Sequence, residues 1–260
     1  MDALALVDAF GDAAPRRDAR VEEHGPLRVF VPQRVGRPWS ARPVDAGVTV
    51  TDDDVRRVGA RQRALGLPES LEWVAGRPAG LEDAARAAGL VLHRHPLLAV
   101  EPQGLRPAEQ VDADVRLLGP ADDVARADAV ARIAFTDTAS TAGVEALDTA
   151  QDRDPTSVSV RTAHVLEGRP AVVAAYLGGE PVARGTVTVV GDAAEVAGVA
   201  TLPALRRRGL GAAVTRALAA HAFGAGARLV FLAADPAAAG VYARIGFARV
   251  GSGWLAGPPH

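Results

Sequence analysis

Val199-Ala200-Thr201-Leu202-Pro203-Ala204-Leu205-Arg206-Arg207-Arg208-Gly209-Leu210-Gly211 reads as the end of a β-strand, a short basic loop and the start of an Ala-rich helix. Backbone N–H groups at a helix start have no intrahelical partner, and the helix dipole adds partial positive charge there. A loop of successive N–H groups feeding that start makes an anion cradle. Gly209 and Gly211 let the backbone approach a diphosphate with no Cβ in the way. The three arginines add charge that can reach phosphate oxygens. A solvated basic turn is the plainer reading of the same residues.

Downstream, the order continues in a defined way. After a helix over 209–224 comes the apolar run Arg228–Ala234, then Asp235-Pro236, then Tyr242-Ala243-Arg244-Ile245-Gly246-Phe247. Arg206-x-x-Gly209-x-Gly211 resembles the Arg/Gln-x-x-Gly-x-Gly/Ala pyrophosphate loop of the GNAT superfamily of N-acetyltransferases. The superfamily also ends with strand, short helix, Tyr-x-x-x-Gly-Phe and final strand. The resemblance therefore rests on two motifs at matching spacing.

The composition is that of a soluble globular protein of one large or two small domains: 260 residues, 48% hydrophobic and 23% charged. A net charge of −2 argues against a broad nucleic-acid-binding surface. Every basic side chain outside histidine is arginine, which together with abundant alanine reads as coding bias. With no cysteine, disulfides, thiolate metal sites and a cysteine acyl-enzyme are excluded. No apolar run reaches the roughly 18 residues of a membrane span. The first residues carry acids where a signal peptide needs bases. The expectation is a cytoplasmic protein with no membrane, nucleic-acid or metal partner.

From Val111 to His260 the pattern predicts one domain. Val115–Leu118 reads as a strand and Asp122–Phe135 as a helix, with Val124, Ala127, Ala131 and Ala134 on one face. Residues 136–163 have weak periodicity, and helix and loop are not separable there. Strands over about 170–177, 181–190 and 193–202 are joined by Gly178-Gly179 and Gly191-Asp192, both hairpin-type dipeptides. Helix 209–224, strand 228–234, helix 236–245 and strand 247–256 follow. The resemblance implies an α/β (α+β) fold, a mixed, mostly antiparallel central sheet flanked by helices, over 111–260.

Residues 1–110 show a related order. Asp52–Leu65 reads as a helix with Thr51 as N-cap, Ser70–Val74 as a strand, Leu81–Leu90 as a helix ending at Gly89, and Val91–Val100 as a strand. Gly89-Leu90 stands where Gly246-Phe247 stands, which suggests a smaller, degenerate GNAT-like copy. The chemistry is missing from it: acids, not arginines, precede helix 52–65, and Ala85 takes the place of Tyr242. An unrelated α/β extension is the alternative. The layout resembles actinobacterial-type members of the superfamily.

Transfer of an acetyl group from a thioester to an amine needs a held donor, a deprotonated amine, a stabilised oxyanion and a protonated leaving group. The resemblance implies acetyl-CoA as co-substrate. Pantetheine would run along the backbone of Val199, Ala200 and Thr201 after a bulge in the fourth strand. The pyrophosphate would lie on Arg206, Arg207, Arg208, Gly209, Leu210, Gly211 and Ala212, and Asp235 would lie near the cofactor. It also implies that Tyr242, one of two tyrosines, protonates the thiolate. Ordinary pKa values of about 10 for the phenol and 8.5 for a thiol allow that transfer, and a packed core aromatic is the alternative. Glu195 is the candidate base for an amine of pKa ~10, or else a solvent-facing or substrate-binding charge. Asp235-Pro236 is equally a plain N-cap followed by proline.

His164 is a weaker acceptor-side candidate; His221, His93 and His95 receive no role. Asp137, Glu145, Asp148, Asp152 and Asp154 either attract a cationic amine or are loop charges. The expected activity is acyl-CoA-dependent N-acetylation of a primary amine, on a small molecule or peptide, in a direct ternary complex. A non-catalytic acyl-CoA-binding or sensing module and a tandem transferase like mycothiol synthase are the alternatives. Homodimerisation, the amine and the acyl length stay open.

Overall fold

The structure, a computed structural model, describes residues 2–33, 38–107, 109–136 and 141–259. In chain order the elements are α1 (Ala3–Ala13), β1 (Ala19–His24), β2 (Leu27–Pro32), β3 (Arg42–Pro43), α2 (Asp52–Ala64), β4 (Leu71–Val74), α3 (Leu81–Ala87), β5 (Val91–Val100), β6 (Asp114–Leu117), α4 (Val124–Thr136), α5 (Leu147–Ala150), α6 (Pro155–Leu166), β7 (Ala171–Leu177), β8 (Glu180–Val190), β9 (Ala193–Thr201), α7 (Leu210–Gly224), β10 (Leu229–Ala233), α8 (Ala239–Arg244) and β11 (Ala248–Gly257). They form two compact units. One comprises Met1–Leu97, Ala233–Pro236 and Arg249–His260; the other comprises Leu98–Leu232 and Ala237–Ala248.

The second unit is a sheet in the order β10-β9-β8-β7-β6. Strands β6 to β9 pair antiparallel, and β10 joins β9 in parallel after the α7 crossover. The β7–β8 turn places both Gly178 and Gly179 at positive φ, 56° and 85°, as a two-residue hairpin of right-handed strands requires. Helices cover both faces. Gly185 of β8 lies under α7, where an added Cβ would come within 2.8 Å of Leu218 Cδ1. Its neighbour Arg184 points the opposite way and bonds Asp128 of α4. The α4 side is sealed by Leu118, Val124, Ala127, Val165, Val172 and Ala174.

In the segment 136–163, residues 141–163 hold a 3-10 turn at Val144–Ala146, α5 and α6. Asp154 caps α6 by accepting from Ser157 N at 2.9 Å, with Pro155 at the first helical position. The helix expected over 236–245 begins as a 3-10 turn, Pro236–Ala238, and is α-helical only over Ala239–Arg244.

Gly246 closes this unit. It has φ 104°, and a Cβ there would stand 2.0 Å from the carbonyl oxygen of Gly104. The neighbouring Ile245 carbonyl accepts from Arg106 N at 3.0 Å. Because the obstruction is backbone, it cannot rotate away. Gly246→Ala is expected to cost about 3 kcal/mol or more, from left-handed strain and overpacking together. At 2–4 °C per kcal/mol for a protein of this size, Tm should fall by about 6–12 °C, measurable by calorimetry.

The first unit contains a separate three-stranded antiparallel sheet, β1-β2-β3. It also contains the antiparallel pair β4–β11, where Trp73 sits opposite Trp254 with the rings stacked at 6.5 Å. Its core gathers Leu27, Val29, Val55, Val58, Leu71, Trp73 and Leu81. Helix α2 begins with a capping box: Thr51 Oγ1 accepts from Asp54 N, and the Asp54 carboxylate accepts from Thr51 N. That helix start is therefore closed by its own side chains.

Candidate functional site

Strand β9 decides the geometry of the site. Its parallel ladder with β10 covers three pairs, Ala193 with Leu229, Ala194 with Val230 and Glu195 with Phe231. Beyond Glu195 it runs on to Thr201 with no ladder partner on that side among the described residues. On its other side the register to β8 slips: Thr186 faces Ala197, but Arg184 faces Ala200. Gly198 and Val199 thus oppose the single Gly185, a β-bulge. Gly198 takes φ 59° there, and the Thr186 hydroxyl donates to the Ala197 carbonyl at 2.9 Å. The strand leaves its parallel neighbour with its backbone edge open, and Val199, Ala200 and Thr201 all lie on that open stretch.

The chain then crosses a 3-10 turn, Pro203–Leu205, and reaches α7. Arg207 has φ 67° and Gly209 φ 77°, and Arg207 is alone among non-glycine described residues in having positive φ. Such a conformation costs of order 1–3 kcal/mol and concentrates at functional sites. Alternating left-handed residues turn successive N–H groups inward as an anion-binding nest. No side chain caps α7, whose first internal bond is Ala213 N to Gly209 O at 3.0 Å. The contrast with the self-capped α2 is direct. Arg206, Arg207 and Arg208 are exposed. Arg206 donates from Nη2 to the Ala134 carbonyl at 3.1 Å, so part of its fork braces the loop against the end of α4. A loop this shaped and this basic suits a diphosphate.

Tyr242 lies on α8, half-buried, edge-on to Phe247 with ring centroids 6.3 Å apart. Helix α8 packs on α7, the helix that the basic loop leads into. Glu195, half-buried on β9, faces Thr188 of β8. By strand alternation Thr188, Thr186 and Arg184 share a face, so Glu195 lies on the α4 side of the sheet. Asp235 is exposed in the other unit, directly after β10. His164 falls in the last turn of α6 and His221 in the last turn of α7. His93 and His95 lie on β5. Among the described residues no group of three or more potential ligands is placed to hold a metal.

Most of the acids of 136–163 serve local structure. Asp148 pairs with Arg126 at 2.6 Å, which lowers its carboxyl below the usual range. Asp152 accepts from Ser157 Oγ at 2.6 Å, Glu145 accepts from Gly143 N at 2.7 Å, and Asp154 is the α6 cap. These bonds favour the loop-charge reading over an amine-attracting patch. Asp137 lies outside the described residues.

The sequence reading missed a buried charge cluster. Arg184 is 5% exposed. It reaches Asp128 at 2.5 Å, and Asp128 also takes Arg161 Nε at 2.7 Å. Burial pushes the Arg184 guanidinium below its ordinary range, while Asp128 pulls it back. Arg184 Nη1 would lie 3.5 Å from a Cβ on Gly198, so the cluster supports the bulge from beneath. The available signal was an arginine in the middle of an apolar strand, Pro181-Val-Ala-Arg184-Gly-Thr-Val187. Asp128→Ala should destabilise by about 3–5 kcal/mol, because it strands a buried cation. The double variant Asp128→Leu/Arg184→Met should recover most of that in urea denaturation.

Residues 133–247 match the model of the Acetyltransferase (GNAT) family. The chain carries a GNAT domain. Among solved structures, a GCN5-related N-acetyltransferase from Kribbella flavida superposes with a TM-score of 0.76 at 25% identity, covering 100% of this chain and 97% of that one. A putative GNAT-family acetyltransferase from Novosphingobium aromaticivorans superposes at 0.55 with 17% identity, covering 98% and 96%; at that identity it speaks to fold alone. No curated protein matches the chain. The GNAT match spans the open β9 edge, the α7 loop and Tyr242, the same stretch that carried the resemblance in the sequence. No helix among the described residues is long and apolar enough to cross a membrane.

Proposed function

We propose that the protein is a cytoplasmic N-acetyltransferase that moves an acetyl group from acetyl-CoA to a primary amine of a small molecule or peptide within one ternary complex. The observation that carries this reading is the continuous path from the unpaired β9 edge into the left-handed, uncapped loop at the start of α7. Bound acetyl-CoA supplies an acetyl group activated as a thioester. The backbone of Val199, Ala200 and Thr201 offers N–H and C=O groups to an extended amide chain and one N–H to a developing oxyanion. The N–H groups of Arg206 to Ala212, with the exposed guanidiniums, take the diphosphate. Glu195 accepts the ammonium proton of the acceptor, directly or through a water, and Tyr242 gives its phenolic proton to the departing sulfur. Asp235 is assigned to the cofactor side. In this reading residues 1–110 are a degenerate copy without a donor site, and homodimerisation is left open.

Isothermal titration with acetyl-CoA and with CoA tests the reading first. One site per chain is expected for both. Absence of binding by a folded protein would overturn the donor assignment and every role built on it.

A further inference from the structure

The N-terminal unit holds a cavity of 270 Å³ lined by Asp8 and Asp12 of α1, Arg28 of β2, Arg42 of β3, Asp45 and Arg77, with small apolar residues between them. Three acids and three arginines leave its lining balanced in charge. Two of the arginines, Arg28 and Arg42, are each only 7% exposed. A guanidinium brings five N–H donors that burial obliges it to place. Arg28 binds Asp12 through one terminal nitrogen and gives the other to the Val44 carbonyl at 2.6 Å, but its Nε has no partner. Arg42 is less well served. Its Nη2 makes one long hydrogen bond to Asp8, 3.4 Å, and its Nη1 stands 3.7 Å from Glu72.

Helix α1 leaves room for that cation. A Cβ on Gly11 would lie 2.3–2.6 Å from Cζ and both terminal nitrogens of Arg42, so the guanidinium rests against bare backbone. A buried guanidinium with donors to spare, lining a cavity that also presents carboxylates, is complementary to a ligand carrying both charges. Asp45 is held in place by accepting from Gly47 N at 2.7 Å. The volume equals that of roughly nine waters at ~30 Å³ each, the scale of a small metabolite and not of a nucleotide. A polyanion would leave the three aspartates uncompensated.

We propose that this cavity binds a free α-amino acid, its carboxylate on the fork of Arg42 and its ammonium between Asp8 and Asp45. An arginine fork matches a carboxylate with two parallel hydrogen bonds, and two aspartates offer the acceptors an ammonium needs. The site lies within one unit and is independent of acyl-CoA.

Thermal-shift titration of the full chain with each standard L-amino acid, and with acetate and methylammonium as single-charge probes, tests it. At least one amino acid should raise Tm saturably, and the two single-charge probes should bind more weakly by tenfold or more. Arg42→Lys keeps the charge but loses the fork and should weaken binding at least tenfold. Ala9→Leu places a good helix former at an exposed cavity-lining position, touches no charge, and should block binding in a folded protein. The proposal is overturned if no amino acid shifts the wild-type Tm, if acetate or methylammonium binds as tightly, or if Ala9→Leu binds like wild type.

Discussion

Gly209→Asp is expected to weaken acetyl-CoA binding by about 100-fold or more while the protein stays folded. Gly209 is left-handed at φ 77°, and aspartate is among the few side chains that tolerate that region. The added Cβ would meet only Val111 Cγ1, at 3.2 Å, a side-chain methyl that can shift by a few tenths of an ångström. What changes is charge. A carboxylate enters the nest of N–H groups at the uncapped end of α7, where it satisfies those donors itself and repels a diphosphate. One such repulsion at ~4 Å is worth about 4 kcal/mol at an effective dielectric near 20, and 1.4 kcal/mol is tenfold in affinity. Titration calorimetry reads the effect, and circular dichroism confirms the fold. Unchanged CoA affinity would remove the loop from the proposed function.

Tyr242→Phe should lower kcat by about 100-fold or more and leave the acetyl-CoA Kd near wild type, because a general acid contributes about 10²–10⁴ in rate. The ring packs edge-on to Phe247, and phenylalanine preserves that contact. The backbone of residue 242 ends α8 by accepting from Ile245 N and Phe247 N, each at 3.1 Å, which the substitution also leaves alone. Loss of the hydroxyl is then the one chemical change. CoA release is measured with the best amine from an acceptor screen. Turnover near the wild-type rate would mean that Tyr242 only packs and that the leaving sulfur takes its proton from elsewhere.

Much of the fold was legible because its signals are local. The turn dipeptides Gly178-Gly179 and Gly191-Asp192 that end β7 and β8, the Thr51 cap that starts α2, and the apolar alternation of β7 to β9 act within a few residues of themselves. Places where the reading blurred are places where distant contacts decide. Residues 141–163 carry little periodicity, and their helices are held by caps and ion pairs such as Arg126–Asp148. The Pro236–Ala238 turn is 3-10 and not α, a distinction that alanine-rich composition does not make. Asp128 and Arg184 escaped notice because each is an ordinary charged residue until the other, 56 positions away, is placed 2.5 Å from it.

The sequence by itself determined that a strand leads through a basic glycine loop into a helix, and that a Tyr-x-x-x-Gly-Phe turn follows another strand. Those patterns rest on the backbone preferences of glycine and proline and on hydrophobic period, which the chain carries with it wherever it folds. Only the tertiary structure decided that β9 parts from β10 after Glu195, that Gly198 and Val199 bulge against Gly185, and that Gly246 must be glycine because the Gly104 carbonyl stands where a Cβ would go. Each of these depends on which backbone lies beside which. That is settled by close packing between segments far apart in sequence, and no local pattern records it.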